Sequence, residues 1–294
     1  MSSTVVNIPN SFVTLYEANT DIGKPNYITD TICGIQKDFC YPIFDEKDLQ
    51  FQTQISSTEV ISSITIQKTP SSTGVSVSVT GVTTDIITNG TIDGKTIYNI
   101  WFSFIGSDLM DGILEGDCFI ISFFCGIAEP TFFISNQCFK KVADKCLTTQ
   151  LKYINSENAF GFVYRTVGTY PNITVTTNTI RLPIYLKEPV INSDKTVYVR
   201  SNGARELLSA RLSKRYKALV DHVPEETHQN IVVALNHDGV YLWPENYSKV
   251  TGMRVTFEDE YNNDFPAIMQ NVNIWAADFT IFETPFNNFN SNCV

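Results

Sequence analysis

The three histidines of this 294-residue chain are the residues best suited to binding a metal ion. They lie within one short stretch, at His222, His228 and His237, and Asp238 follows the last of them. Imidazole nitrogens and carboxylate oxygens are ligands for zinc and similar ions. The stretch contains no HExxH pattern, and the spacing of His228 and His237 places them on different faces of a helix. The sequence therefore favours the alternative that these side chains hydrogen-bond around a turn–helix–turn unit, with no metal and no other cofactor bound.

Four carboxylates lie close together in a polar connection between two predicted strands, at Asp108, Asp111, Glu115 and Asp117. Several carboxylate oxygens can bind calcium, and two carboxylates at a fixed separation can act as a glycosidase pair. The stretch lacks the ligand spacing and the glycine position of an EF-hand loop. Because carboxylates mostly stay in water, we expect an exposed acidic loop.

Motifs for nucleophilic or nucleotide chemistry are absent from the sequence. It contains no GxSxG, no GxxxxGK[ST] and no GxGxxG. We therefore predict no catalytic residues and expect a protein that is not an enzyme.

The seven cysteines have no spacing typical of a metal-binding knuckle. None of the close pairs is a CxxC, which zinc knuckles use. The odd number, together with a start that lacks the basic and apolar regions of a signal peptide, favours thiols in a reducing cytosol. We expect these residues to be small buried hydrophobes in strands. They are Cys33, Cys40, Cys118, Cys125, Cys138, Cys146 and Cys293.

The elements that position these residues are predicted to be mostly strands. Residues 49–55 and 74–80 alternate between apolar and polar side chains, which is typical of half-buried strands. Asn89-Gly90 and Asp93-Gly94 are hairpin turn signals. Residues 118–125 form an apolar run of strand length.

The chain is predicted to be mainly β, with two antiparallel β-sandwich-like domains. The N-terminal domain covers residues 1–143, and a C-terminal β-rich domain covers 144–294. The second domain is predicted to hold a hairpin around residues 201–203 and one short helix near 224–237, which Pro224 begins and Gly239 ends. Pro183 and Pro189 place the intervening segment at an edge or a bulge.

Composition limits the partners of this chain. The net charge is −10, and an acidic surface repels nucleic acid. No segment reaches the roughly 20 apolar residues of a membrane span. Hydrophobic residues make up 43% of the chain and charged residues only 18%, which suits a β-protein packed against neighbours.

Short segments in order along most of the chain carry a resemblance. They are DFCYPI (38–43), DLQFQ (48–52), LEGDC (114–118), SNQCF (135–139), NSENAFGFVY (155–164), RLPIYL (181–186) and 197–238, which ends in VALNHD. In these segments the chain resembles virion proteins encoded by tailed phages and prophages of Bacteroidota, including the crAss-like phages. The resemblance implies a structural tail protein of ring, collar or baseplate type, without catalytic residues. It also implies synthesis in the host bacterial cytoplasm and a final location in the virion tail.

The basic stretch at residues 200–217 is the predicted interface of such a subunit. Its arginines are expected to face an acidic patch on the next copy of a ring, because ring contacts join two different surfaces of the same chain. They are Arg200, Arg205, Arg211 and Arg215. Partners are then copies of this chain and other tail proteins. The alternatives are a tail module that binds a receptor or a host surface glycan through exposed aromatics, and a carbohydrate-active enzyme.

Overall fold

A computed structural model of the chain describes residues 4–6, 8–17, 39–125, 131–135, 137–146, 148–164, 166–167, 174–244, 252–263, 274–283 and 288–290. This described part is mainly β, as predicted, with one α-helix, α1 (Glu225–Leu235), and one 3-10 turn (Glu46–Asp48). Its strands, in chain order, are β1 (Thr4–Val6), β2 (Leu15–Glu17), β3 (Cys40–Ile43), β4 (Gln50–Ser57), β5 (Ile64–Pro70), β6 (Val77–Val79), β7 (Thr83–Ile92), β8 (Lys95–Ser103), β9 (Cys118–Cys125), β10 (Thr131–Ser135), β11 (Cys138–Lys141), β12 (Thr149–Ile154), β13 (Thr166–Val167), β14 (Thr174–Val175), β15 (Asn178–Leu182), β16 (Ile184–Leu186), β17 (Val190–Val199), β18 (Arg205–Pro224), β19 (Gly239–Pro244), β20 (Met253–Asn263), β21 (Ile274–Glu283) and β22 (Asn288–Asn290).

Two large sheets hold most of these strands. The larger sheet has the order β16-β18-β21-β20-β19-β12-β15-β4-β8-β7, with β1 beside β4 and with β17 and β22 beside β18. The second sheet has the order β2-β10-β9-β11-β3, and β5 and β6 extend it from β9. Every pair in the larger sheet is antiparallel, whereas β11 and β3 of the second sheet are parallel.

Aromatic side chains join the two sheets into a sandwich-like core. Phe102 of β8 lies 5.4 Å, centroid to centroid, from Phe123 of β9. Phe51 stacks on Phe102 within the larger sheet, and Phe133 packs on Phe123 within the second. All four rings are buried, which removes a large apolar area from water and stabilises the packing of the sheets.

The strand β4 lies where alternation predicts a strand, but the prediction of one solvated face is wrong. Gln52 and Thr53 are as buried as Phe51 and Ile55. The polar face is covered by the chain around residue 163, where the backbone N–H of Val163 donates to Oε1 of Gln52. Glutamine side chains on this face therefore serve as buried hydrogen-bond partners.

The two predicted hairpin turns have different outcomes. Asp93 and Gly94 form the two-residue turn between β7 and β8, with φ angles of 51° and 75°. Asn89-Gly90 forms no turn, because it lies within β7 at an irregularity where the register with β8 shifts between Thr88 and Thr91. Gly90, with a φ of 91°, absorbs the one extra residue of β7 at that point.

The predicted helix is present, and its apolar positions explain its packing. Ile231, Ala234 and Leu235 are buried at the i, i+3, i+4 spacing of one helix face. Pro224 directly precedes the helix and does not lie in its first turn, and the helix ends at Leu235. Gly239 begins β19 and does not end the helix. A Cβ there would lie 2.6 Å from Cγ2 of Ile154, so only glycine fits beside β12.

The predicted domain boundary at residue 143 lies between β11 and β12. The larger sheet contains strands from both sides of it, and Thr179 of β15 is opposite Gln50 of β4. The division into two domains stays a prediction. The segment between Pro183 and Pro189 forms the edge strand β16, as its prolines predict.

Candidate functional site

The most prominent surface feature of the described residues is a long hairpin, which we call the arm (residues 190–213). It consists of β17 and the first half of β18, joined by a tight turn. Gly203, at a φ of 83°, donates its N–H to the Arg200 carbonyl, and the Arg200 N–H donates to the Ala204 carbonyl, both at 2.8 Å. The predicted hairpin around residues 201–203 is thereby confirmed.

The arm exposes apolar side chains on both of its faces. Val197 and Leu207 are directly opposite each other across the hairpin, and they are 45% and 41% exposed. Among the arm residues whose side chains the structure describes, six large hydrophobic residues are exposed: Val190, Ile191, Val197, Tyr198, Val199 and Leu207. Scattered exposed apolar residues are normal, but a group of this size on one hairpin indicates an interaction surface.

The second half of β18 anchors the arm in the body of the protein. Tyr216 is buried, and its hydroxyl donates to a carboxylate oxygen of Glu283 on β21 at 3.0 Å. Ala218 and Val220 are buried further along the strand. One strand, β18, therefore forms both the exposed arm and the buried anchor, so the arm is continuous with the core.

The four arginines predicted to form the interface do not share one environment. Arg200 and Arg205 lie at the tip of the arm and are exposed. Arg215 lies where β18 enters the body, with its guanidinium 4.9 Å from the centroid of the Phe282 ring. Arg211 is opposite Asp194 in the hairpin. The tip therefore carries two of the four predicted charges.

The three histidines lie in separate environments. His222 is exposed beside Asp221, whose carboxylate oxygen is 2.9 Å from Nδ1 of the imidazole. This hydrogen bond is the main reason that the pKa of Asp221 lies below its usual value. His228 is buried, and its Nδ1 lies 2.6 Å from the Tyr261 hydroxyl of β20. The imidazoles of His222 and His228 therefore contact different residues, Asp221 and Tyr261.

His237 lies in a cage of four aromatic rings that no sequence pattern indicated. The rings of Tyr153, Phe160, Phe162 and Tyr164 have centroids between 4.8 and 5.9 Å from its imidazole. Nδ1 carries the proton, because it lies 2.8 Å from the Val233 carbonyl oxygen, which can only accept. Nε2 is buried with no hydrogen-bond partner in the described structure. Burial lowers the pKa of His237, so the neutral imidazole is favoured.

Asp238 points away from this cage and caps a neighbouring loop. Its carboxylate accepts hydrogen bonds from the Ser156 hydroxyl at 2.6 Å and from the Ser156 N–H at 3.0 Å. Hydrogen bonding to the charged form lowers the pKa of Asp238, with the Ser156 side chain as the main cause. Within the described ranges, the histidines and Asp238 form no three-member group of metal ligands.

A lysine supplies the cation at the predicted acidic loop. Lys68 of β5 is buried, and its Nζ donates to the backbone carbonyls of Asp108, Leu109 and Asp111 at 2.6, 3.0 and 2.7 Å. Burial lowers the pKa of Lys68, although the nearby carboxylates of Asp108 and Asp111 oppose this shift. The loop carbonyls thus converge on an ammonium group, where a calcium site would place a metal ion.

Two carboxylates of the same loop accept hydrogen bonds from the loop and from neighbouring segments. Asp108 accepts from the N–H and hydroxyl of Thr80, and Asp117 accepts from the N–H of Leu114 and the hydroxyl of Ser72. Glu115 is exposed. Asp108 and Asp117 therefore act as hydrogen-bond acceptors that hold the loop and its neighbours together.

Three cysteine sulfurs meet at the second sheet, which the sequence analysis did not predict. Cys138 of β11 is directly opposite Cys40 of β3, and the two form a disulfide with a Cα–Cα distance of 4.7 Å. Cys118 of β9 is also disulfide-bonded. The expectation of thiols is therefore wrong for these three residues. The pairing of strands 98 residues apart brings Cys40 and Cys138 together, and no local spacing could show this.

Comparisons with known proteins give no match to any protein-family model, curated protein or solved structure, so the structure described above is the main guide to function. The resemblance to phage virion proteins therefore stays a prediction. Among the described residues, no helix has the length and apolar character needed to cross a membrane.

Proposed function

We propose that this chain is a structural subunit of a phage tail, of ring, collar or baseplate type, that assembles through protein–protein contacts. The observation that carries the assembly role is the arm, whose six exposed apolar side chains contribute nothing to the core of the single chain. The assignment to a tail rests on the segment resemblance described above. The role is geometric: rigid sheets hold the position of neighbouring subunits.

The edge of the arm supports this role independently of its side chains. Among the described strands, β17 pairs with β18 alone, so its outer edge offers backbone donors and acceptors. Such an edge is a template for another strand unless it is covered. Contact with a second surface would cover both the edge and the apolar side chains.

The charge distribution favours another copy of this chain as the partner. The tip carries the exposed cations Arg200 and Arg205, whereas the whole chain has a net charge of −10. A basic tip on an acidic body fits an acidic surface of the next copy, which is the head-to-tail contact that closes a ring.

Sedimentation of the purified chain tests whether the arm drives assembly. We expect species larger than the 33.1 kDa monomer at high concentration, and we expect the double variant Val197→Lys, Leu207→Lys to shift them towards monomer. A charge in an apolar contact is costly to desolvate, which weakens the contact. Val60→Lys is the matched control, because Val60 is 72% exposed and lies outside the arm. Equal sedimentation of the double variant and the control would contradict the role of the arm.

A further inference from the structure

Three cysteine sulfurs from three neighbouring strands converge in the second sheet. The Sγ atoms of Cys40, Cys118 and Cys138 all lie within 4.8 Å of one another. Their strands are consecutive in the order β9-β11-β3, so the sheet ladder fixes their positions. Cys118 and Cys138 are buried, and Cys40 is half-buried. Within the described ranges, this is the only group of three such ligand atoms.

We infer that in the reduced protein Cys40, Cys118 and Cys138 form a thiolate site for a zinc ion. A zinc ion bound by thiolates at about 2.3 Å in tetrahedral geometry holds the sulfurs roughly 3.8 Å apart. The three sulfurs lie within 4.8 Å of one another, and because Sγ of Cys40 and Sγ of Cys138 are bonded in the disulfide, reduction must let these two move apart by roughly 1.8 Å to reach that spacing. The side chains then need only small rotations on a fixed backbone.

In the reduced cluster, such a cation favours the thiolate form of the cysteines over the thiol form. Three thiolates at this separation repel one another, and burial disfavours the charge of each. Protonated thiols avoid the repulsion but remain poor hydrogen-bond partners in an apolar sheet. Zinc displaces the three thiol protons and lowers the net negative charge of the three thiolates from −3 to −1, and solvent or another side chain fills its fourth position.

The disulfide and the zinc site are two states of the same residues. A dithiol reductant gives two electrons and two protons to the Cys40–Cys138 disulfide and becomes a disulfide itself. Reduction of the disulfide at Cys118 consumes a second equivalent in the same way. Zinc then binds the three sulfurs and releases three protons. The redox state of the compartment therefore decides which link joins β3, β9 and β11.

Cobalt titration of the full chain tests this site. The chain is reduced with a phosphine under argon, freed of reductant and titrated with Co²⁺, which takes zinc sites and gives a thiolate charge-transfer band. We expect one equivalent of Co²⁺ to produce the band, Zn²⁺ to abolish it, and the unreduced chain to show none. Absence of the band from the reduced chain would overturn the inference, whatever the variants show.

Cysteine-to-serine variants identify the residues that bind the metal ion. Cys138→Ser and Cys118→Ser are each expected to lose the band, whereas Cys146→Ser, at an exposed cysteine outside the cluster, is expected to keep it. Retention of the full band by both cluster variants would place the metal elsewhere and overturn the assignment. Circular dichroism verifies that each variant is folded, and bound zinc per chain, measured by atomic emission, gives the same comparison without cobalt.

Discussion

Asp48 is a residue on which distant parts of the chain converge. It is fully buried, and its Oδ2 lies 2.8 Å from Nε of Arg181 on β15. The same oxygen accepts from the N–H of Phe44 at 2.7 Å, and Oδ1 accepts from the Gln150 side chain at 2.9 Å. The buried charge is thus fully surrounded by donors from three segments of the chain.

Removal of the arginine should destabilise the fold strongly. We expect Arg181→Met to lower the free energy of unfolding by about 3–5 kcal/mol, because it leaves the carboxylate of Asp48 buried without its counter-ion. Denaturant unfolding measures the loss. Lys217→Met is the matched control, since Lys217 forms an exposed ion pair with Asp278 that is worth less than about 1 kcal/mol. Similar losses in the two variants would contradict this account of the buried pair.

The caged His237 should make stability depend on pH in the mildly acidic range. Its folded-state pKa lies below the ordinary value of 6.5, so the unfolded chain binds the proton more readily. The contribution of His237 is therefore complete above about pH 6.5 and is lost as the pH falls below it. We expect thermal unfolding from pH 7.5 to pH 5 to show a steeper loss for the unaltered chain than for His237→Gln.

The exposed histidine provides the comparison for this pH effect. His222→Gln replaces a histidine whose side chain is 63% exposed, and it is the matched control for the substitution itself. If His237→Gln and the unaltered chain lost stability in parallel, burial of the imidazole would not be the cause.

At the scale of residues, the sequence indicated which residues stand out, but it could not show where they lie in space. The histidines stood out because they are near one another in the chain, yet each binds a different neighbour in space. No pattern indicated Asp48 or Arg181, because 133 positions separate them and ordinary spacing rules reach only a few residues. The cysteine cluster was missed for the same reason.

At the scale of elements, Lys68 holds the loop between β8 and β9 in place. The loop forms successive turns, in which Ser107, Asp111 and Ile113 donate their N–H groups to carbonyls three residues earlier. Lys68 binds the carbonyls of Leu109 and Asp111, and it also binds that of Asp108, which accepts from the Asp111 N–H as well. Together with Lys141, whose Nζ donates to the Ile113 carbonyl, Lys68 holds a connection that has no strand or helix of its own.

Loss of this ammonium should loosen the loop. We expect Lys68→Met to cost about 1–3 kcal/mol, since buried carbonyls lose their donor, and to speed hydrogen exchange of the Ser107, Asp111 and Ile113 amides. Exchange measured by mass spectrometry on peptides covering residues 106–117 reports the change. Lys140→Met, at an exposed lysine, should leave exchange in this loop unaltered. Unchanged exchange in Lys68→Met would contradict a role for the Lys68 ammonium group in holding the loop.

Elements whose signals are local were the ones that could be predicted. The turn at Asp93-Gly94, the helix after Pro224 and the hairpin at Gly203 each depend on residues within a few positions. The turn predicted at Asn89-Gly90 is absent, because pairing with β8 continues past the dipeptide and the chain forms a bulge there. The burial of both faces of β4 likewise depends on a segment more than a hundred residues away.

At the scale of the whole molecule, the described fold combines a body of two sheets with the arm, where β22 pairs with β18 at residues 209–211. The paired sheets bury an aromatic core, while the arm exposes apolar side chains and an open strand edge. The sequence pattern predicted the strands of the two sheets, because alternating and apolar runs are typical of strands. It could not anticipate how far β17 and β18 extend beyond the sheet, since the same alternation is typical of strands that are covered.

The proposed tail function is tested most directly by quantitative peptide mass spectrometry on purified particles of the source phage, with the portal protein as the internal standard. The account predicts a fixed, stoichiometric presence, at roughly six or twelve copies per particle for a closed ring. Absence of the chain from purified particles would contradict the account and would favour a free enzyme or a host-directed binding protein.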